Sequence, residues 1–212
     1  MSYLRRGGRR ASRLNTYLRK RLRTARARRS ELDRRHFDSL FRKRAILFTD
    51  TADFTVRTLR DGILHFLMLF ERFMSGAEKA VRDTGGEIVK VEADSLLIRY
   101  DDVGAAFHGV LALQGFLGSL NRRLPRNEWL RFSYGIGYGD VLDVDGDVFG
   151  LEVNLASKIG EDLARPGEVL LTPAAAATLD DGLRRRVVSH CEIAFGPHTV
   201  CVSRLRLSRR PR

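Results

Sequence analysis

Two aspartates stand where a carboxylate needs a partner. Asp50 closes the apolar run of ILFTDTADFT (residues 46–55), and Asp94 lies in KVEADS (residues 90–95) between two strand-like runs. A hairpin turn beside the first strand would bring both acids to one sheet edge. There they repel unless something neutralises them, and hard divalent cations do so through oxygen ligands. Such a pair can hold two metals about 3.5–4 Å apart, clamping the attacking and leaving oxygens of a phosphoryl displacement. Backbone N–H groups of Thr51, Ala52, Asp53, Phe54 and Thr55, leading into a helix, offer a phosphate cradle. In DVFGLEVNLASK (residues 147–158), Asp147 precedes a helix that carries Asn154 and Lys158 four residues apart, on one face. An amide beside a cation suits a ribose and a charged phosphate. Each residue alone has a plainer reading: Asp50 as a strand cap, Lys90 as a solvated strand residue, Asn154 as a local cap, Lys158 as an exposed helix lysine.

The elements that must position these residues follow from the pattern. Ala45–Thr49 reads as a short buried strand. Residues 61–82 read as one long helix whose Ile63, Leu64, Phe66, Leu67, Leu69, Phe70, Phe73 and Met74 cover a broad sheet-facing side. TGG at 84–86 ends it. Strands at 87–91 and 95–100 form a tight hairpin, and a second long helix runs over 103–124 until Pro125. The strand at 130–141 is punctuated by Gly135, Gly137 and Gly139, which let a helix lie close. A helix over 149–163, a strand at 168–171, a short helix at 173–179 and two strands within 186–206 complete the chain. The order βαββαβαβαββ implies an α+β fold, with helices packed on a mostly antiparallel central sheet.

Charge divides the 212 residues unevenly. Residues 1–44 hold 17 Lys/Arg against three acids, a local charge of +14, which leaves −2 for residues 45–212. The expected organisation is therefore a basic N-terminal tail and helical segment (1–44), a nearly neutral domain (45–207) and a short basic C-terminal tail (208–212). Residues 1–11 read as disordered. From Ser12, Leu14, Leu18, Leu22, Ala25 and Leu32 fall near one helical face among arginines. Three readings of this segment stand: a dimerising helix that feeds the domain, a contact with anionic lipid, or a contact with nucleic acid. The leucine stripe favours the first, and the lack of aromatics at base-stacking spacing weakens the third. Cys191 and Cys201 read as free core thiols. No apolar run approaches the ~20 residues of a membrane span, and the N-terminus lacks a secretory apolar core. The expected setting is cytoplasmic, with a peripheral membrane position through the basic helix as a variant.

Three motifs in order, at matching intervals, resemble the class III nucleotidyl cyclase catalytic domain, the adenylate/guanylate cyclase family, over residues 45–205. FTDTADFT follows the family's F-x-D…F-T motif. Lys90 and Asp94 follow K-x-x-x-D, and residues 147–158 follow D-x-[WF]-G-x-x-V-N-x-A-[AS]-[RK]. The resemblance implies the family's ferredoxin-like-derived fold. It also implies that Asp50, Asp94 and the Thr51 backbone hold two divalent ions, Mg²⁺ or Mn²⁺. Lys90 and Asp147 then read the purine, with lysine donating to adenine N1 and aspartate accepting from N6, which favours ATP over GTP. Asn154 orients the ribose, and Lys158 stabilises charge at the α-phosphate. The site is shared by two protomers, so a homodimer makes cyclic AMP and pyrophosphate.

The chain departs from the pattern in three places. Lys158 replaces the usual arginine and loses its planar fork. HCEIAFGPHTVC (residues 190–201) lacks the triphosphate-binding lysine often found near the last hairpin, and His198 is one substitute. Asp53 puts an acid inside the phosphate loop. These departures imply a slow, Mn²⁺-preferring or activation-dependent cyclase. The alternative is a catalytically weak cyclase-fold module that binds a nucleotide or protein partner and acts as a regulator.

Overall fold

The computed structural model describes residues 13–37, 40–195 and 198–207. The expected disorder of residues 1–11 and the basic tail 208–212 lie outside them. Helices α1 (Arg13–Arg23) and α2 (Arg29–Phe37) precede β1 (Phe41–Thr51). Then come α3 (Phe54–Asp61), α4 (Ile63–Asp83), β2 (Glu87–Glu92), β3 (Ser95–Tyr100) and α5 (Val103–Asn121). Next are β4 (Phe132–Val144), β5 (Asp147–Phe149) and α6 (Leu151–Lys158), which runs on into a π-helical turn, Ile159–Leu163. The chain ends in β6 (Val169–Leu171), α7 (Pro173–Ala177), α8 (Asp181–Arg184), β7 (Val187–Phe195) and β8 (His198–Leu205).

The strands form one sheet in the order β2-β3-β1-β4-β6-β8-β7, with β5 added beside β4. Every pairing is antiparallel except β4 with β6. This is the α+β architecture that the element order implies.

Period-two alternation feeds two cores from single strands. Ala45 and Leu47 of β1, with Leu96 and Ile98 of β3, pack under α4 and α5 among Phe66, Phe70 and Phe73. Ile46 and Leu97 face the other way, toward Val153 and Ala156 of α6. Phe73 stacks on Phe132 with ring centroids 4.5 Å apart, and each such buried ring contributes about 1.5–3 kcal/mol. Helix α5 is long and apolar enough to cross a membrane by composition, contrary to the sequence reading. Here it is a core helix, with Phe107, Val110 and Leu113 buried.

Two further expectations change. A helix the sequence reading missed, α3 (Phe54–Asp61), stops at Gly62, whose φ of 84° suits glycine, and the helix expected over 61–82 is α4 (Ile63–Asp83). Its apolar face is narrower than the composition suggests: Leu64 is 79% exposed, and Ile63 and Leu67 stand partly in solvent, while Phe66 and Phe70 are buried. Cys191 and Cys201 are free but exposed rather than buried. They cannot face each other, because Cys191 pairs with Val202 and Cys201 with Glu192, a one-residue offset that puts them on opposite faces.

The glycines of β4 act as expected. A Cβ on Gly135 would lie 2.1 Å from the Ala156 carbonyl oxygen, and one on Gly137 would lie 2.5 Å from that of Glu152. Bare backbone on β4 thus lets α6 rest directly on the sheet.

Candidate active site

β1 leaves the core and carries Asp50 to its end, on the α6 side by the alternation of Ile46, Phe48 and Asp50. β3 runs antiparallel beside it with Thr49 opposite Leu96, so the β2–β3 turn delivers Asp94 next to Asp50. Two hydroxyls fasten this junction. Thr51 Oγ1 donates to the Asp94 carbonyl at 2.9 Å, and Ser95 Oγ donates to Asp50 Oδ1 at 2.8 Å. Asp94 is 8% exposed. Burial pushes its carboxyl up to about 6, and the charge of Asp50 adds to the shift. Burial also raises the Asp50 carboxyl. The Ser95 hydrogen bond opposes this rise, and the charges of Glu161 and Asp162 on the π turn reinforce it.

Two desolvated carboxylates that repel each other are the donor set a hard divalent cation relieves. Among the described residues no three His, Cys, Asp or Glu side chains converge on a metal position. Asp50 and Asp94 fit ions that take one or two protein carboxylates and complete their shell with phosphate oxygens and water, as Mg²⁺ does.

The phosphate loop is narrower than expected. The Ala52 N–H donates to the Arg131 carbonyl at 2.8 Å, which removes it from the cradle. Thr51 belongs to the β1 ladder, opposite Phe132. The first helical bond of α3 runs from the Arg57 N–H to the Asp53 carbonyl, so the amides of Phe54 and Thr55 lie ahead of the ladder. Asp53 adopts φ 65°, and its carboxylate pairs with Arg131 at 2.5 Å. That partner accounts for an acid at this position.

A cleft of about 310 Å³ opens beside the acids. Phe48, Leu97, Phe149 and Val153 give it apolar walls, and Lys90, Ser95 and Asn154 give it polar ones. Lys90 Nζ stands 3.1 Å from Asp147 Oδ2 at its edge and 3.8 Å from Glu92 Oε1. The pair predicted from sequence is thus a direct contact within one chain, holding a donor beside an acceptor. Lys158 is not part of this cleft. It stands one turn beyond Asn154, and its ammonium pairs with Asp162. The side chain of His198 lies outside what is described.

Three positioning residues escaped the sequence reading. Ser95 lines the cleft and also holds Asp50; a hydroxyl directly after Asp94 was its only signal. Glu152 accepts from the Tyr138 N–H at 3.0 Å and from Thr172 Oγ1 at 2.6 Å, fixing the start of α6 to β4 and to the end of β6. Asp162 holds Lys158. The sequence reading assigned no role to either acid.

No family model matches the chain. It is 33% identical over 138 residues to an adenylate cyclase of Streptomyces coelicolor, covering 65% of this chain and 34% of that protein. An adenylate cyclase of Streptomyces griseus is 30% identical over 151 residues, covering 71% and 34%. Among solved structures, an adenylate/guanylate cyclase/hydrolase from Silicibacter pomeroyi superposes with a TM-score of 0.66 at 25% identity, over 78% of this chain and 96% of that one. The chain belongs to the class III nucleotidyl cyclase family. The chain spans about a quarter to a third of the length of the curated relatives it matches. The guanylyl cyclase Cya2 shares its fold equally well, with a TM-score of 0.67 at 17% identity over 78% of this chain and 92% of that one. Overall shape therefore does not separate adenylyl from guanylyl cyclases.

Proposed function

We propose that the chain is an adenylate cyclase catalytic domain that converts ATP to cyclic AMP and pyrophosphate. The observation that carries the reading is the Lys90–Asp147 pair at 3.1 Å on the edge of the cleft. A lysine donor matches adenine N1, and a carboxylate acceptor matches the N6 amino group. Guanine offers the opposite polarity at both atoms. Asn154, lining the same cleft, orients the ribose. The ATP 3′-oxygen attacks the α-phosphorus and loses its proton; the bond from that phosphorus to the bridging oxygen breaks, and pyrophosphate leaves.

Asp50 and Asp94 would hold divalent metal, Mg²⁺ or Mn²⁺, which supplies charge neutralisation at the triphosphate and acidifies the attacking hydroxyl when bound. Ser95 keeps the Asp50 carboxylate oriented, and the Phe54 and Thr55 amides face phosphate. The catalytic assembly is a homodimer in which one copy brings Asp50 and Asp94 and the other brings Lys90, Asp147, Asn154 and Lys158. Family membership supports this arrangement.

A second reading, a weak nucleotide-binding regulator, is favoured by Lys158. In the free chain its ammonium is paired with Asp162 rather than directed into the cleft.

The base-reading claim is tested by swapping polarity. Lys90→Glu with Asp147→Asn should lower kcat/KM for ATP by about 10²-fold, since each lost charged hydrogen bond is worth about 1.5–3 kcal/mol. The ratio of GTP to ATP turnover should rise. An unchanged ratio would remove this pair from base recognition.

A further inference from the structure

The basic segment before β1 forms a helical hairpin. Helix α1 turns through residues 24–28 and folds back on α2. Arg21 Nε and Nη2 donate to the two Asp33 carboxylate oxygens at 2.9 and 3.2 Å, and the Tyr17 hydroxyl joins them on Asp33. One face of α1 is thereby used. The adjacent face carries Leu14, Leu18 and Leu22 at four-residue spacing. Helix α1 has no buried residue, and Leu18 and Leu22 are 43% and 77% exposed. Exposed Arg13, Arg19 and Arg23 lie on the flanks and Lys20 on the far side of this helix, and α1 contains no acid.

We infer that α1 is a docking surface for an anionic lipid bilayer. Charge decides among the occupants that would cover such a stripe. A second α1 would bring five cations against five with no acid between them, on a helix of only three turns, too short for a coiled-coil seam. Nucleic acid would satisfy the arginines but leave the leucines in water, and the one aromatic of α1, Tyr17, is tied to Asp33. An anionic interface takes both: leucines enter the acyl boundary while arginines stay among the headgroups. The hairpin meets the cyclase domain where the Leu14 N–H donates to Asp145 Oδ2 at 3.1 Å. Docking on this face therefore lies two residues from Asp147.

The test is flotation of the full chain with vesicles of phosphatidylcholine, alone or with about one-third phosphatidylserine; Arg19→Gln/Arg23→Gln should lower partitioning about 25-fold, at about fivefold per basic residue. Leu18→Ser/Leu22→Ser should also release the chain. Binding should occur only with phosphatidylserine and vanish between about 0.1 and 0.5 M salt. Circular dichroism checks that the variants keep their helix; if they do not, the salt series on the unaltered chain decides alone. Four results would overturn the inference: equal binding to neutral vesicles, no binding at all, full binding by a folded leucine variant, or a short DNA duplex stripping the chain from vesicles at equal charge. Nucleotide turnover is not read in any arm, so the outcome is independent of the cyclase assignment.

Discussion

Ser95 has one hydroxyl, and it is bound to Asp50. If Asp50 ligates metal, Ser95→Ala should lower Mn²⁺ affinity about 10–100-fold, the usual effect of removing a ligand's outer partner, while Ser95→Thr keeps most of it. Titration calorimetry on the folded variants reads this directly, and unchanged affinity would leave Ser95 with a packing role. Asp94 makes a pH prediction. Its carboxyl sits near 6 in the folded chain against the ordinary 3.8, so the folded state binds the proton more tightly than the unfolded one. Metal-free stability should therefore fall as pH rises from about 4 to about 6, with the full loss in place above 6. Protons and metal compete for the same oxygens, so Mn²⁺ affinity should drop as pH falls through 6. Denaturant melts at pH 4.5 and 7, with and without Mn²⁺, check both signs.

At the scale of elements, the site depends on how closely α6 lies on β4. Gly135→Ala would put a methyl against the Ala156 carbonyl. Overpacking of this kind costs about 1–3 kcal/mol, and it should shift Asn154 and reduce turnover more than nucleotide affinity. A thermal melt and a kcat against KM comparison separate the two effects. These elements also show what the sequence could tell. The apolar runs gave the strands at β1 and β3 but not their two faces, which only the structure shows, and the glycines announced the close helix. The strand end at Asp50, the hairpin turn at Asp94 and the helical position of Asn154 follow from local pattern, whereas pairing Lys90 with Asp147 came only from the resemblance to the cyclase family. Helix α3 went unread because FTVRTLRD carries only three large apolar residues, too few to mark a buried face. The Asp53–Arg131 and Ala52–Arg131 contacts join residues 78 and 79 positions apart, and no local pattern encodes such partners. The exposed cysteines were misplaced because the burial habit of the residue type does not say that Cys191 lies on the edge strand β7, or that Cys201 of β8 lies beyond the residues that pair with β6.

At the scale of the whole molecule, a nearly neutral cyclase domain carries a strongly basic hairpin. Within one chain Ser95 links Asp50 to the cleft that Lys90 and Asn154 line, while Lys158 is occupied by Asp162; in the proposed homodimer each site takes its acids from one copy and its cleft from the other. The central claim is that this arrangement makes cyclic AMP. It is tested by incubating the full chain at high concentration with ATP or GTP and Mg²⁺ or Mn²⁺, then separating the products. The prediction is cyclic AMP from ATP in excess of cyclic GMP from GTP, abolished by Asp50→Ala and partly restored when Asp50→Ala and Asn154→Ala chains are mixed to form one complete site. No cyclic nucleotide with either metal would contradict the enzyme reading and leave the regulatory module in its place.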